Sequence, residues 1–162
     1  MKVNRPLAVN VGRAVCDRPG TITYLVGDNV ATAGLESYMD EGFKEKWHSS
    51  SSKVDVCCNP MSEILQATEV PYINLLSVDV EGAEELILRT VHWGNIPVEV
   101  VIVETDSRFM KADKVLKLST YLRSKGFDVE KSMNIEHSTV FRNASFVVDE
   151  IDVHDWSKKA IP

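Results

Sequence analysis

Several acidic side chains directly follow an apolar run near the middle of the chain. Residues 72–85 read YINLLSVDVEGAEE, so the run ends in carboxylates and a glycine. Asp79 and Glu81 are two positions apart, and a continuing strand would point both carboxylates to one face. Glu84 falls in the first turn of a helix that Gly82 opens, where the helix dipole favours negative charge. Carboxylates grouped in this way could take a proton from a hydroxyl group, or hold a divalent ion through hard oxygen ligands.

A parallel strand–helix–strand unit is the element that would position these acids. The continuous apolar run before Asp79 is typical of a strand buried on both faces of a parallel sheet. Residues 98–105, VEVVIVET, predict a second buried strand, and the residues from Gly82 to about Trp93 predict a helix between the two. Parallel strands end at the same sheet edge, where open α/β sheets bind their ligands. We therefore expect Glu104 to lie beside Asp79.

The order of residues around the acids resembles a family signature. Residues 75–84, LLSVDVEGAE, resemble the motif of the FkbM-type methyltransferases, S-adenosylmethionine-dependent enzymes that mostly methylate oxygen. The resemblance extends over about residues 6–148. It implies that Asp79 is the base or orients the acceptor, and that other acids assist it, namely Glu81, Glu84 and Glu104. The alternative is structural, in which the acids only solubilise a strand end and cap a helix.

The same resemblance suggests where the cofactor would bind. It aligns residues 7–16 with the third core strand of the family, and it implies that Ala14 and Val15 lie near the adenine of S-adenosylmethionine, with Asp79 also at the cofactor. An alternative takes residues 9–12, VNVG, as the loop that holds the cofactor, but these residues run into a Pro-Gly turn and another strand instead of a helix. No metal ligand is assigned; a divalent ion at the acid cluster is the less favoured alternative.

The fold class expected from these patterns is α/β. The resemblance implies one partial domain over residues 1–162, with a Rossmann-like class I methyltransferase sheet that is truncated at the N-terminus. Further elements are predicted from turn signals and hydrophobic periodicity. They are strands at 7–16 and 21–26 that form a hairpin or double back, an irregular segment at 27–52, an extended piece from 54 followed by a helix from Pro60, a helix at 112–125, an antiparallel pair at 127–133 and 144–148, and a surface tail from 150.

The truncation predicts an unpaired sheet edge. The glycine-rich cofactor loop and the first strand that the resemblance places upstream are absent, so the backbone of residues 75–80 would lack a partner. Such an apolar edge invites pairing with another strand. The chain is then a fragment, pairs its own first strand there, or associates with a second copy or a partner chain. A second functional hypothesis follows, namely a non-catalytic module that binds a protein through this edge.

The composition limits the classes of partner that this chain is expected to bind. A net charge of -6 argues against binding to nucleic acid or to an anionic membrane surface. No apolar run has the length of a membrane span and no signal peptide is recognisable, so we expect a cytoplasmic protein. With the reaction class that the resemblance implies, we expect its partner to be a small hydroxylated or sugar-like methyl acceptor. Cys16, Cys57 and Cys58 form no CxxC motif and are predicted to be buried free thiols. Trp47 is predicted to be either a lid anchor or a core aromatic.

Overall fold

Two four-stranded sheets and four helices make up the described part of the chain. The computed structural model describes residues 8–26, 33–107 and 110–146. The elements in chain order are β1 (Ala14–Val15), β2 (Gly20–Val26), β3 (Gly34–Leu35), α1 (Glu41–Trp47), β4 (Ser52–Asn59), α2 (Met61–Ala67), β5 (Ile73–Val78), α3 (Glu84–Arg89), β6 (Val98–Glu104), α4 (Ala112–Arg123), β7 (Phe127–Val129) and β8 (Ser138–Asn143).

The second sheet contains the predicted parallel crossover. Its strand order is β5-β6-β8-β7, and β5 runs parallel to β6 with Val78 opposite Val103. The connection between them carries α3, as the sequence predicts, although this helix ends at Arg89 and is shorter than expected. β8 pairs antiparallel with both β6 and β7. Because β5 and β6 are parallel and in this register, the residues after Val78 lie beside the end of β6.

The main core lies between this sheet and helices α3 and α4. Valines alternate along β6, and Val101 and Val103 are fully buried against leucines of the two helices. Such burial of branched side chains is the main stabilising contribution to a small domain. Helix α4 is followed by Gly126 at φ +92°, a conformation that glycine adopts at little cost, so the predicted helix stop is confirmed.

The first sheet has an order that the sequence did not predict. Its order is β1-β4-β2-β3, with β1 parallel and β2 antiparallel to β4. The predicted strand at 7–16 shortens to Ala14–Val15, since residues 8–13 form no strand and are mostly exposed. The predicted hairpin between the first two strands is wrong, because both strands pair with β4. A long-range pairing of this kind depends on tertiary contacts that local patterns do not contain.

The prediction of buried free thiols is wrong in part for each of the three cysteines. Cys16 and Cys58 form a disulfide, with Cα atoms 5.7 Å apart, and Cys57 is exposed. The parallel register of β1 and β4 sets Ala14 opposite Cys58, and Cys16 continues this pairing by donating its backbone N–H to Asn59. The cross-link spans a sequence separation of 42 residues. Closing a loop of that size stabilises a fold by roughly 2–4 kcal/mol.

Four further expectations need correction. Residues 33–52 contain β3 and α1 where an irregular segment was expected, and residues 27–32 lie outside the described part. The last strand of the described residues is Ser138–Asn143; residues 144–146 of the strand expected at 144–148 form no strand, and residues 147–148 lie outside the described part. Strand β7 ends at Val129. Pro60 is the N-cap of α2 and not its first residue. The tail from residue 150 lies outside the described residues.

Strand β5 lies at one edge of its sheet, as the sequence analysis expects. Among the described strands it pairs only with β6. The expectation that β5 is buried on both faces is wrong, because Leu75 is 55% exposed and Asn74 and Ser77 are exposed as well. Only Val78 at its end is fully buried.

No helix within the described residues is long and apolar enough to cross a membrane.

Candidate active site

Three of the four predicted acids meet at the end of β5 and β6. Asp79, Glu81 and Glu104 each offer a carboxylate oxygen, and these atoms all lie within 4.8 Å of one another. Asp79 is exposed, whereas Glu81 and Glu104 are partly buried. The expected position of Glu104 beside Asp79 is therefore confirmed, and we refer to these three residues as the acid cluster.

The fourth acid, Glu84, shapes the loop that carries the cluster. Its side chain is only 2% exposed, and its Oε1 accepts hydrogen bonds from the backbone N–H of Gly82 (3.0 Å) and of Val80 (3.4 Å). These bonds satisfy two backbone donors of the loop that leads into α3. Glu84 is thus a positioning residue in this geometry, and it stands outside the acid cluster. Its predicted assistance in catalysis stays a prediction.

Two successive residues of this loop have left-handed backbone conformations. Glu81 has φ +53° and Gly82 has φ +105°. Such a conformation is uncommon for a residue with a side chain, and it persists only when the surrounding structure imposes it. The turn directs the Glu81 carboxylate back towards Asp79 and Glu104. The sequence signal for it was Gly82, which the pattern placed correctly at the sharp turn.

Crowded negative charge changes the protonation of the cluster. The pKa of Glu104 is raised to about 7. The largest cause is burial, followed by the charges of Asp79 and Glu81 and a hydrogen bond with Asp79. Burial, followed by the charges of Asp79 and Glu84, also raises the pKa of Glu81. Carboxylates that share a small space resist losing their last proton. Below about pH 7, Glu104 therefore keeps a proton that hydrogen-bonds to Asp79.

This shift predicts a pH dependence of stability. The pKa of Glu104 is about 7 in the folded chain, against an ordinary value of 4.5. Between these values the folded state holds a proton that the unfolded state has released, so the free energy of unfolding falls as pH rises through the window. We expect the urea midpoint to fall from about pH 5 to about pH 8. The fall in the urea midpoint should be smaller in Glu104→Gln. It should be unchanged in Glu45→Gln, which serves as the control because Glu45 is exposed. An equal fall with pH in the parent and both variants would contradict the link between Glu104 and stability.

A cavity of about 390 Å³ opens beside the cluster. One wall comes from α1 and the residues before it, and the other from the start of α4. The sequence did not predict the first wall, although Phe43 and Trp47 are spaced four apart, which is a weak helical signal. Trp47 lines the cavity and is 42% exposed, so the interpretation as a core aromatic is wrong. A second cavity of about 60 Å³ is lined by Gly82, Glu104 and Lys114, among others.

The buried carboxylate of Asp106 lies two residues beyond Glu104. Asp106 is 4% exposed, lines the smaller cavity, and its Oδ2 is 3.1 Å from Nδ1 of His137. Local sequence patterns contain no link between Asp106 and His137. The pair joins the residues after β6 to the turn before β8.

Ala14 and Val15 lie in the first sheet and do not belong to the acid cluster. Both are half-buried, and their partners in the register are Cys58 and Asn59 of β4. Val15 also packs against the main core. Their predicted place beside an adenine ring stays a prediction.

The donor set of the cluster is suited to positively charged or hydroxylated ligands. Three carboxylate oxygens within 4.8 Å could hold a divalent cation, and the buried Oε2 of Glu81 has no hydrogen-bond partner within the described residues. The same oxygens could accept hydrogen bonds from ribose hydroxyls or lie near a sulfonium charge. The proton held between Asp79 and Glu104 would have to leave before a metal ion bound at both residues.

Comparison with known proteins identifies the family. The model of the methyltransferase FkbM domain matches residues 2–129, well over half of the 162 residues. A search of the curated proteins found no match, and neither did a search of the solved structures. The matched segment contains the acid cluster, the larger cavity and the parallel crossover. The chain therefore belongs to the methyltransferase FkbM domain family.

Proposed function

We propose that this chain carries the catalytic end of an S-adenosylmethionine-dependent methyltransferase that transfers a methyl group to a hydroxyl oxygen of a small acceptor. The observation that supports it most is the convergence of Asp79, Glu81 and Glu104 beside an open cavity. An oxygen nucleophile needs a base close to its proton and a fixed approach to the reacting carbon. The acid cluster offers the base, and the cavity offers a place that fixes the approach of the acceptor.

The residues present fit a sulfonium cofactor. When bound, S-adenosylmethionine supplies an electrophilic methyl group on a positively charged sulfur. Carboxylates at the rim would accept hydrogen bonds from its ribose hydroxyls and favour its charge. In the proposed arrangement Ala14 and Val15 lie beside the adenine, and Asp79 lies between the cofactor and the acceptor.

Proton handling in the proposed reaction falls to the Asp79–Glu104 pair. Asp79 is exposed at the end of β5, so an acceptor hydroxyl can reach its carboxylate. Asp79 would take the proton of the acceptor hydroxyl as that oxygen accepts the methyl group that bound S-adenosylmethionine would supply. Glu104 holds the Asp79 carboxylate in place through their hydrogen bond. Glu81 supplies a further carboxylate beside the pair.

The proposal also covers the type of sheet that this chain forms and the partners that it binds. The second sheet would be the C-terminal part of a Rossmann-like class I sheet, and residues 1–162 one partial domain. The free edge of β5 would receive a strand from the rest of a longer protein, a second copy or a partner chain. Nucleic acid and membrane partners are not proposed. A cytoplasmic location stays a prediction, and the Cys16–Cys58 disulfide bears against it because such bonds are rare in reducing compartments.

A non-catalytic module is the second candidate function. The exposed edge of β5, with Leu75 55% exposed, is the observation that favours it. Such an edge binds an extended segment by adding a strand to the sheet. A module of this kind has no need to bind the cofactor, so cofactor binding separates the two candidates.

Calorimetric titration with S-adenosylhomocysteine tests the proposed function. This product form of the cofactor binds without turnover, and we expect saturable binding at about micromolar concentration. A transfer assay with labelled S-adenosylmethionine and a panel of hydroxylated acceptors follows. Circular dichroism and a cooperative melt would establish that the chain is folded. A folded chain that binds no S-adenosylhomocysteine would overturn the proposal in favour of the module.

A further inference from the structure

We infer that the methyl acceptor carries an anionic group, a carboxylate or a phosphate, together with a flat apolar face. Both would be held in the larger cavity between α1 and the start of α4, with the reacting hydroxyl towards the acid cluster. This inference rests on the proposed function and names the substrate class of the same site. Three features of the cavity support it: its size and position, its aromatic wall, and its lysines.

The cavity has the size and position of an acceptor site. Its volume of about 390 Å³ suits a molecule of roughly monosaccharide to disaccharide size. Glu81 and Gly82 form part of its lining, so the cavity reaches the acid cluster directly. Gly82 and Lys114 line the smaller cavity as well, which places Glu104 at the same opening. An acceptor bound here would lie against Glu81, whose carboxylate is within 4.8 Å of those of Asp79 and Glu104.

One wall of the cavity is aromatic. Tyr38, Phe43 and Trp47 line it from the side of α1. Trp47 keeps 42% of its surface exposed, although burial of this side chain would be favourable. An exposed indole beside a catalytic cavity is suited to stacking on the apolar face of a sugar ring or on an aromatic ring. This wall therefore favours an acceptor with a flat face over a flexible aliphatic chain.

Three lysines line the same cavity. They are Lys46 on α1, and Lys111 and Lys114 at the start of α4. Within the described residues no ion pair involves any of the three, whereas Lys44, Lys53 and Lys117 are each paired with a carboxylate. Lys46 has its Nζ 4.9 Å from the centroid of the Trp47 ring. Three ammonium groups without an ion pair therefore line this cavity of an otherwise acidic chain, although Lys125 and Lys131 form no ion pair within the described residues either and lie outside the cavity lining.

The start of α4 adds to this positive potential. Lys111 is the N-cap of a 12-residue helix and gives no side-chain hydrogen bond to the first turn. The helix dipole and the free backbone N–H groups at such an end favour an anion. Lys114 follows three residues later, on the neighbouring part of the helix surface. An anionic group between Lys111 and Lys114 would find two ammonium groups and a helix N-terminus.

The negative groups of the cavity are already engaged elsewhere. Asp40 caps α1 by accepting a hydrogen bond from the backbone N–H of Gly42 at 3.0 Å. Glu81 belongs to the acid cluster. The cavity thus carries the carboxylate of Glu81 where it adjoins the acid cluster and lysines on both its α1 and its α4 sides. In the inferred arrangement the anion of the acceptor lies at the lysines and its hydroxyl at the acid cluster.

Matched pairs of acceptors test the inference. Glucose is compared with glucuronate and with glucose 6-phosphate, because the neutral and the anionic sugars share one ring and its hydroxyls. We expect kcat/KM for transfer to at least one anionic sugar to exceed that for glucose by about tenfold or more, as for one or two charge-assisted contacts. A preference for glucuronate or for glucose 6-phosphate distinguishes a carboxylate acceptor from a phosphate acceptor. Equal kcat/KM values for all three sugars would overturn the inference.

A double variant locates the anion site. Lys111→Gln with Lys114→Gln should raise KM for the preferred anionic sugar about tenfold and leave kcat and S-adenosylhomocysteine binding nearly unchanged. Lys117→Gln is the matched control, since this lysine lies on the same helix, is exposed and pairs with Asp113 at 3.8 Å outside the cavity. Unchanged KM in the double variant would place the anion elsewhere and overturn the assignment.

Direct binding keeps this inference separate from the proposed function. Ligand-observed NMR measures binding of the three sugars without turnover. Preference for an anionic sugar that is lost in the double variant, without methyl transfer to any acceptor, would overturn the proposed function and keep the anion site. Methyl transfer without any preference for an anionic sugar would overturn the anion site and keep the proposed function.

Discussion

Replacing Asp79 by asparagine is expected to reduce kcat for methyl transfer by at least about 100-fold, the usual contribution of a general base. The amide cannot take a proton, although it can still hydrogen-bond to Glu104. Because Asp79 adds to the negative charge that raises the pKa of both Glu81 and Glu104, the substitution should leave the free energy of unfolding equal to that of the parent or higher. Loss of activity together with retained stability is the expected signature.

Asp128→Asn is the matched control for this prediction. Asp128 is exposed on β7 and lies 3.6 Å from Arg123, and its substitution should leave kcat within about twofold because exposed ion pairs contribute little. The measurements are kcat, KM and the Kd for S-adenosylhomocysteine, with a urea denaturation curve for each protein. A raised Kd with unchanged kcat would assign Asp79 to cofactor binding alone. Unchanged kcat and Kd would remove Asp79 from the site.

The acid cluster could be predicted from sequence because its geometry follows from local patterns and one topological rule. Two apolar runs each end in an acid, and the segment between them has the character of a helix. A right-handed parallel crossover then forces both acids to one edge, with no knowledge of the remaining chain. The raised pKa of Glu104 follows from this placement, but it depends on separations of a few ångström that only the structure gives.

The first sheet could not be predicted in the same way, because its strands are paired by distant contacts. β1 is too short to have a period of its own, and its pairing with β4 determines where it begins and ends. The disulfide between Cys16 and Cys58 depends on that register. The sequence spacing of the cysteines contains no information about this register, and for that reason the pattern predicted free thiols.

Strand β8 shows how tertiary pairing decides between similar segments. Residues 138–143 and 144–148 both contain β-branched or aromatic residues, and the sequence favoured the second. The structure places the strand at the first, where Val140 and Phe141 lie opposite Ile102 and Val101 and are buried. Asn143 ends it, since its Oδ1 accepts a hydrogen bond from the backbone N–H of Ser145 at 3.0 Å.

The larger cavity could not be predicted from the sequence because its walls come from segments that are distant in sequence. Helix α1 has no fully buried residue, so its hydrophobic pattern is weak, and Lys111 and Lys114 look like ordinary solvated charges. Their grouping opposite Trp47 exists only in the folded chain. A charged and an aromatic wall on two separate elements are typical of a site that recognises a ligand, since core packing requires neither.

Replacing Gly82 by alanine is expected to lower the free energy of unfolding by about 1–3 kcal/mol and to reduce methyl transfer beyond that loss. Gly82 has φ +105°, and a Cβ at this position would lie 3.0 Å from the carbonyl oxygen of Tyr38. A backbone contact of this kind cannot relax by a rotamer change. The loop would have to move, which displaces the Glu81 carboxylate and weakens the hydrogen bonds to Glu84.

Gly94→Ala provides the control for this substitution. A Cβ at Gly94 would meet no atom within 4 Å, and the residue does not have a positive φ. Its substitution should change stability by less than about 0.5 kcal/mol, because removing a glycine also restricts the unfolded chain. Urea denaturation gives the stabilities, and kcat at saturating substrates gives the effect on the site. Equal stability and activity of the two variants would show that the left-handed turn does not position the acid cluster. Normal stability with lost activity in Gly82→Ala would instead show that the turn positions the cluster without being needed for folding.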